Sequence, residues 1–150
     1  MGLGSRSEAP GWLSEPPSAF DIVTAYFPET NPKGELRLRP CLVLEVMRGR
    51  SSGAIACKLA FGTKRLKFVQ RRNLDLIIQN AGDLQEVGLP MATRFDLDAD
   101  NLAILPWAES HFGCWSGRRH PRIGSLTEKY VKDYAYIMAL RHANERETRP

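Results

Sequence analysis

Short apolar runs rich in β-branched and aromatic residues, each cut off by proline, glycine or a charged turn, fill residues 20–107 of the chain. Runs of this length and composition read as strands rather than helices. "FDIVTAYF", residues 20–27, is stopped by Pro28. "LRLRPCLVLEVM", residues 36–47, is continuous and apolar after Pro40. A basic turn from Gly49 to Gly53 leads into "AIACKLAFG", residues 54–62, and "LDLIIQ", residues 74–79, gives a short fourth strand. In "NAGDLQEVGLP", residues 80–90, Leu84, Val87 and Leu89 line one side of a short helical turn that Gly88 and Pro90 end. "ATRFDLDADNLAILPW", residues 92–107, holds two short strands around the acidic turn Asp98-Ala99-Asp100-Asn101.

After an irregular Gly/Arg/His stretch the period changes. Leu126, Tyr130, Tyr134, Ile137 and Met138 recur at helical spacing, and Ser125 with Glu128 has the spacing of a capping box, which predicts a helix over 125–146. Several short strands with one terminal helix predict a mainly β chain, its small, strongly bent sheet or barrel closed by that helix. The length of 150 residues suits one domain, drawn here as 19–146, with a core that needs neither disulfides nor a metal. Residues 1–18, rich in Pro, Gly, Ser and Glu, read as a flexible tail pinned by Trp12 and Leu13. That start lacks a basic end and an apolar core, so it does not read as a signal peptide, and no apolar run approaches the ~20 residues of a membrane helix. Cys41, Cys57 and Cys114 form no CxxC pair, and the first two sit in apolar runs, where cysteine acts as a small hydrophobe. A reducing, cytoplasmic setting is expected.

Charge is unevenly placed. Residues 33–72 hold eleven Lys and Arg against two acids, a local +9, whereas residues 73–110 hold seven acids and one Arg, a local −6. The basic segment either forms a surface for a polyanion or pairs with the acidic one after folding. Common catalytic signatures are absent: there is no GxGxxG after a strand, no Walker-type loop, no HExxH and no GxSxG. His111, Cys114 and His120 are three soft ligands without a fourth at convincing spacing, so they read as loop residues while Phe112 and Trp115 pack down. Asp96, Asp98 and Asp100 alternate as in a calcium loop but lack its glycine and distal glutamate, so a polar hairpin turn is expected. What remains is Arg39, a permanent cation at the start of an apolar strand, with Pro40 fixing its neighbour's backbone.

"DIVTAYFPETNPKGELRLRPCLVLEV" resembles the opening of the MazF/PemK toxin family, with its "GDIV" strand, variable loop and "RP-x-LV" strand. "AFGTK", then "TRFDL", "LPW" and "IGSL" before a helix, resemble the PemK-like growth-inhibitor branch, so the resemblance spans roughly residues 20–142. It implies a small SH3-like β-barrel closed by a C-terminal helix, usually a homodimer. It also implies a metal-independent endoribonuclease, the toxin of a toxin–antitoxin pair, which needs no cofactor and whose antitoxin covers the RNA groove. The RNA 2′-hydroxyl attacks the adjacent phosphorus in such enzymes.

The family's arginine before proline carries over to Arg39, which would hold the scissile phosphate. Its Thr or Ser after the third strand carries over to Thr63, with Lys58 or Ala60 at that place in a shorter alignment. Lys33, Arg37, Lys64, Arg65 and Lys67 would form the groove for single-stranded RNA, and the Gly34 to Leu38 segment would gate it. Tyr26, Phe27 and Phe61 are stacking candidates for which core packing is the plainer role. Some toxins of this fold poison a topoisomerase without cutting RNA, so a non-catalytic barrel that binds nucleic acid or protein is the alternative.

Overall fold

The long apolar runs become the spine of one antiparallel sheet. In the computed structural model, which describes residues 9–27, 33–66 and 74–148, β1 (Asp21–Tyr26), β2 (Leu38–Arg48) and β3 (Ile55–Thr63) pair in sequence order. β4 (Leu76–Ile78) pairs with β5 (Thr93–Phe95), β5 and β6 (Ala103–Pro106) both pair with β3, and β7 (Arg122–Ser125) pairs with β1. The path runs β4-β5-β3-β2-β1-β7, with β6 beside β3.

Two features differ from the sequence reading. β5 and β6 do not form a hairpin with each other. They lie end to end along one edge of β3, β5 against Gly62 and Thr63 and β6 against Ala56–Leu59. A 3-10 helix, Ala99–Asn101, carries the chain between them, its first turn capped by the Asp98 side chain. β7 falls at the end of the stretch read as irregular; its four residues include Gly and Ser, too short and too small to show a strand period.

The sheet curls into a half-barrel and does not close. β4 and β7 are the two ends of the strand path, and helices occupy the gap: α2 (Glu128–Thr148) packs on β4 and α1 (Ala81–Val87) on β7. The β7 edge is met by helix backbone rather than by a strand. A Cβ on Gly124 would overlap the Val87 carbonyl, and one on Gly88 the Ile123 carbonyl, so only glycines allow this approach. The closed SH3-like barrel is therefore corrected to an open one.

Side chains alternate between two cores, as a period of two requires. Ile22, Leu42 and Ala60 join Phe95, Leu126, Tyr130 and Ile137 on the face under the helices. Val23, Cys41, Val43, Cys57, Leu59 and Phe61 face the other way, against Trp12, Trp107 and Phe112. Burial pushes the Cys41 thiol up and the Cys57 thiol up to about 11, as for small hydrophobes. The expected pinning of the N-terminal segment is present. Trp12, in the 3-10 helix Gly11–Ser14, packs edge-on against Trp107 at 4.9 Å, and the Trp107 indole donates to the Leu13 carbonyl at 3.1 Å.

α2 begins at Glu128, three residues later than expected, because Ser125 is not its cap. The Ser125 hydroxyl donates to the buried Asp21 carboxylate at 2.7 Å instead, and the Thr127 carbonyl accepts from the Tyr130 and Val131 N–H groups. The core stripe of Leu126, Tyr130, Tyr134, Ile137 and Met138 holds. α1 is capped at one end by Asn80, whose side chain accepts from Gly82 and Asp83, and at the other by left-handed Gly88. Among the described residues no helix is long and apolar enough to cross a membrane.

Candidate functional site

The end of the β2–β3 ladder places Arg39 and Thr63. The ladder's last pair at this end is Cys41 with Phe61. One step further, Pro40 lies beside Gly62 so closely that a Cβ on Gly62 would come 2.8 Å from the Pro40 carbonyl oxygen. The next step sets Arg39 across from Thr63. On its other side Thr63 pairs with Arg94 of β5. A row Arg39–Thr63–Arg94 thus crosses three strands, and the row beneath it runs Cys41–Phe61–Asp96, since the Asp96 N–H donates to the Phe61 carbonyl at 3.1 Å. Cys41 and Phe61 belong to the second core, so by alternation Arg39 and Thr63 stand on that same face, just beyond its edge.

Apart from the buried Cys41, these residues line a cleft of about 910 Å³. Arg37, Arg39, Thr63, Lys64 and Arg65 all open onto it, together with Phe27, Phe61, Arg94, Asp96, Asp100, Asn101 and Trp115. Of the expected RNA contacts, Lys33 is exposed and does not line the cleft, and Lys67 lies outside the described residues. Lys58 and Ala60, the alternatives to Thr63, lie within the β3 ladder, and Ala60 is in the first core.

Arg39 is held by an aromatic face. Its guanidinium carbon sits 4.0 Å from the centre of the Phe27 ring, which meets Phe61 edge-on at 5.1 Å. A cation over a ring is attracted by the ring's negative face and remains free to use its N–H fork. Phe27 therefore supports the arginine, and Phe61, buried in the second core, supports Phe27. Tyr26 sits apart from the cleft, beside Gly113.

Thr63 Oγ1 accepts the Arg65 N–H at 3.2 Å. That bond closes a tight turn and leaves the hydroxyl proton for another partner. The basic turn is also tied from below. Arg94 Nε donates to the Arg65 carbonyl at 2.9 Å, while Arg94 and Arg141 each meet one oxygen of Asp75 at 2.7 Å. All three charged groups are buried. Arg94 is thus a positioning residue, and its paired charge is not available as the exposed cations are.

Arg37, Arg39, Lys64 and Arg65 form no ion pair with an acid among the described residues, so this part of the basic segment is not neutralised by the acidic one. The acids that line the cleft are Asp96 and Asp100. Asp96 is fixed by its own loop: Oδ1 accepts the Asp98 N–H at 3.0 Å and Oδ2 the Asn101 side-chain amide at 2.9 Å. Each oxygen keeps a lone pair for a further proton or donor.

Sequence reading missed Arg94, Asp96 and Trp115 as cleft residues. The signal for the first two was the alternation in "TRFD", which puts Arg94 and Asp96 on one face of β5 and its continuation. Trp115 left no such signal. His111 and His120 are engaged elsewhere, with Ser110 and with the Glu15 carbonyl, and no group of three His, Cys, Asp or Glu side chains that could hold a metal ion occurs among the described residues. Compared with models of protein families the chain matches none, and it matches no curated protein.

Proposed function

We propose that this chain is an endoribonuclease of the MazF/PemK toxin kind, with an SH3-like half-barrel that cleaves single-stranded RNA without a metal. The observation that carries the reading is Arg39 stacked on Phe27 in one cleft with Thr63 and three further exposed cations, Arg37, Lys64 and Arg65. An RNA phosphate held by the Arg39 fork would meet a fixed charge where negative charge develops during attack. The Thr63 hydroxyl donates to a non-bridging oxygen. Asp96, a fixed carboxylate in the row next to Thr63, takes the proton from the 2′-hydroxyl. The new P–O2′ bond forms as the P–O5′ bond breaks, leaving a cyclic phosphate on one fragment. The 5′ oxygen leaves as a hydroxyl, its proton coming from solvent. Arg37, Lys64 and Arg65 hold the flanking phosphates. Homodimerisation and an antitoxin that covers the cleft belong to the same reading.

The second reading, a non-catalytic module for nucleic acid or protein, draws on the mixed sign of the cleft. Asp96 and Asp100 share it with the cations, and such a surface also suits a peptide. Incubating the full chain with single-stranded RNA in EDTA separates the two. Cleavage that Arg39→Ala abolishes while the circular dichroism spectrum is kept supports the enzyme. Folded wild-type protein that leaves RNAs of varied sequence intact supports the module.

A further inference from the structure

We propose that the loop 114–120 is a second RNA-holding element, which takes the strand as it leaves the cleft; this rests on the RNA reading above. The loop is stapled at both ends to Thr24–Tyr26, the part of β1 beyond its pairing with β7. Before it, Phe112 is buried and bridged to Ala25, and the Tyr26 N–H donates to the His111 carbonyl at 2.8 Å. After it, the Thr24 N–H donates to the Pro121 carbonyl at 2.9 Å. The buried Thr24 hydroxyl lies 2.5 Å from the Gly113 carbonyl oxygen and 3.2 Å from that of Pro121, so one side chain draws the two ends together. His120 adds a third tie. Its Nδ1 accepts the Arg122 N–H at 2.8 Å, which leaves Nε2 as the donor to the Glu15 carbonyl at 2.7 Å.

The tip between these anchors presents an aromatic and two cations. Trp115 is half-buried, packs one side against the first core and lines the cleft that holds Arg39 and Thr63. The Arg118 N–H donates to the Trp115 carbonyl at 2.9 Å, closing a turn through Gly117, whose φ of +81° favours glycine. Such a turn keeps its first and fourth Cα within about 7 Å. Arg118 and Arg119 are exposed and form no ion pair among the described residues. An aromatic platform beside unpaired arginines on a rigid turn is the combination that holds single-stranded nucleic acid: the ring takes a base and the arginines take its phosphates. The ligand is a strand longer than the segment cut in the cleft.

The test uses the full chain and 2′-O-methyl oligonucleotides, which lack the attacking hydroxyl, read by fluorescence anisotropy across a range of KCl concentrations. Wild type should bind a strand of about twelve nucleotides more tightly than one of about four. The Arg118→Ala/Arg119→Ala double variant, changed only at exposed positions, should lose roughly tenfold or more of its affinity for the longer strand. Its salt slope should fall by about 1.4, roughly 0.7 for each of two phosphate contacts on a single strand. Trp115→Leu should narrow the gap between the two lengths without changing the salt slope. If the double variant binds the long strand as wild type does, with the same slope, the loop is not part of the track while the RNA reading stands. If wild type binds neither strand, both fail, and binding of a glutamate-rich peptide in place of RNA has the same consequence.

Discussion

Arg94 donates to the Asp75 carboxylate at 2.7 Å while its Nε holds the Arg65 carbonyl at 2.9 Å, so one buried ion pair sets the position of the basic turn beside the cleft. Arg141 of α2 closes the same network on the other oxygen of Asp75. Replacing Asp75 by Ala leaves two guanidinium groups buried without their counter-charge. The expected cost is about 3–5 kcal/mol in urea unfolding, since removing one partner of a buried pair exposes the full desolvation penalty of the other. A loss below about 1 kcal/mol would show that water reaches the site and satisfies both arginines.

Thr63 offers its hydroxyl proton because its oxygen already accepts from Arg65. Thr63→Ala should lower RNA cleavage by about 10²-fold, the scale of losing one donor to a developing oxyanion, and Thr63→Ser should restore most of it. Initial rates on one RNA measure this. Undiminished cleavage by the Ala variant removes Thr63 from the site.

Asp83 and Tyr130 join α1 to α2 and give stability a dependence on pH. The Tyr130 hydroxyl and Lys129 both donate to Asp83 and hold its carboxyl below the usual range, while burial, and then the Asp83 bond, push the Tyr130 phenol up to about 12. A lowered carboxyl contributes stability above its unfolded value near 3.8 and loses it as pH falls through the folded value. A raised phenol contributes fully below its unfolded value of 10.0 and loses its share as pH climbs towards 12. Tyr130→Phe should therefore flatten the alkaline fall of the melting temperature, and Asp83→Asn should flatten the acid one. Unchanged curves in both variants would mean that the link contributes nothing.

Gly124 meets the Val87 carbonyl with no room for a Cβ. Gly124→Ala should destabilise the chain by about 3 kcal/mol or more, at the upper end for overpacking, because the obstacle is backbone that no rotamer change relieves. Chemical denaturation measures it, and a change under about 1 kcal/mol would mean that α1 is not held against β7 as described.

The long elements were legible because their signals were long. β1, β2 and β3 have runs of β-branched and apolar residues ended by Pro or Gly, and α2 repeats its stripe over several turns. The Gly88 end of α1 was legible for the same local reasons, whereas Asn80, whose side chain caps the other end, was not read as a cap. What was not legible depended on distant partners. Ser125 had the spacing of a helix cap, yet Asp21, far off in sequence, takes its hydroxyl. Arg94 acquired its role from Asp75, Arg65 and Arg141, residues that only the fold assembles. The acidic turn looked like a hairpin because nothing local says that β5 and β6 prefer β3 to each other. At the site, Arg39 stood out through the "RP" at the start of a strand, whereas its support by Phe27 crosses from β2 to the end of β1.

The most direct measurement is the rate of RNA cleavage in EDTA by wild type, Arg39→Lys and Arg39→Ala, each verified as folded, with the product ends resolved by mass spectrometry. If Arg39 is the residue that holds the scissile phosphate, wild type gives cyclic phosphate and 5′-hydroxyl ends, Arg39→Ala loses about 10³-fold or more, and Lys, whose point charge lacks the planar fork, rescues poorly. Equal rates in wild type and Arg39→Ala, or no cleavage by folded wild-type protein, would contradict that role.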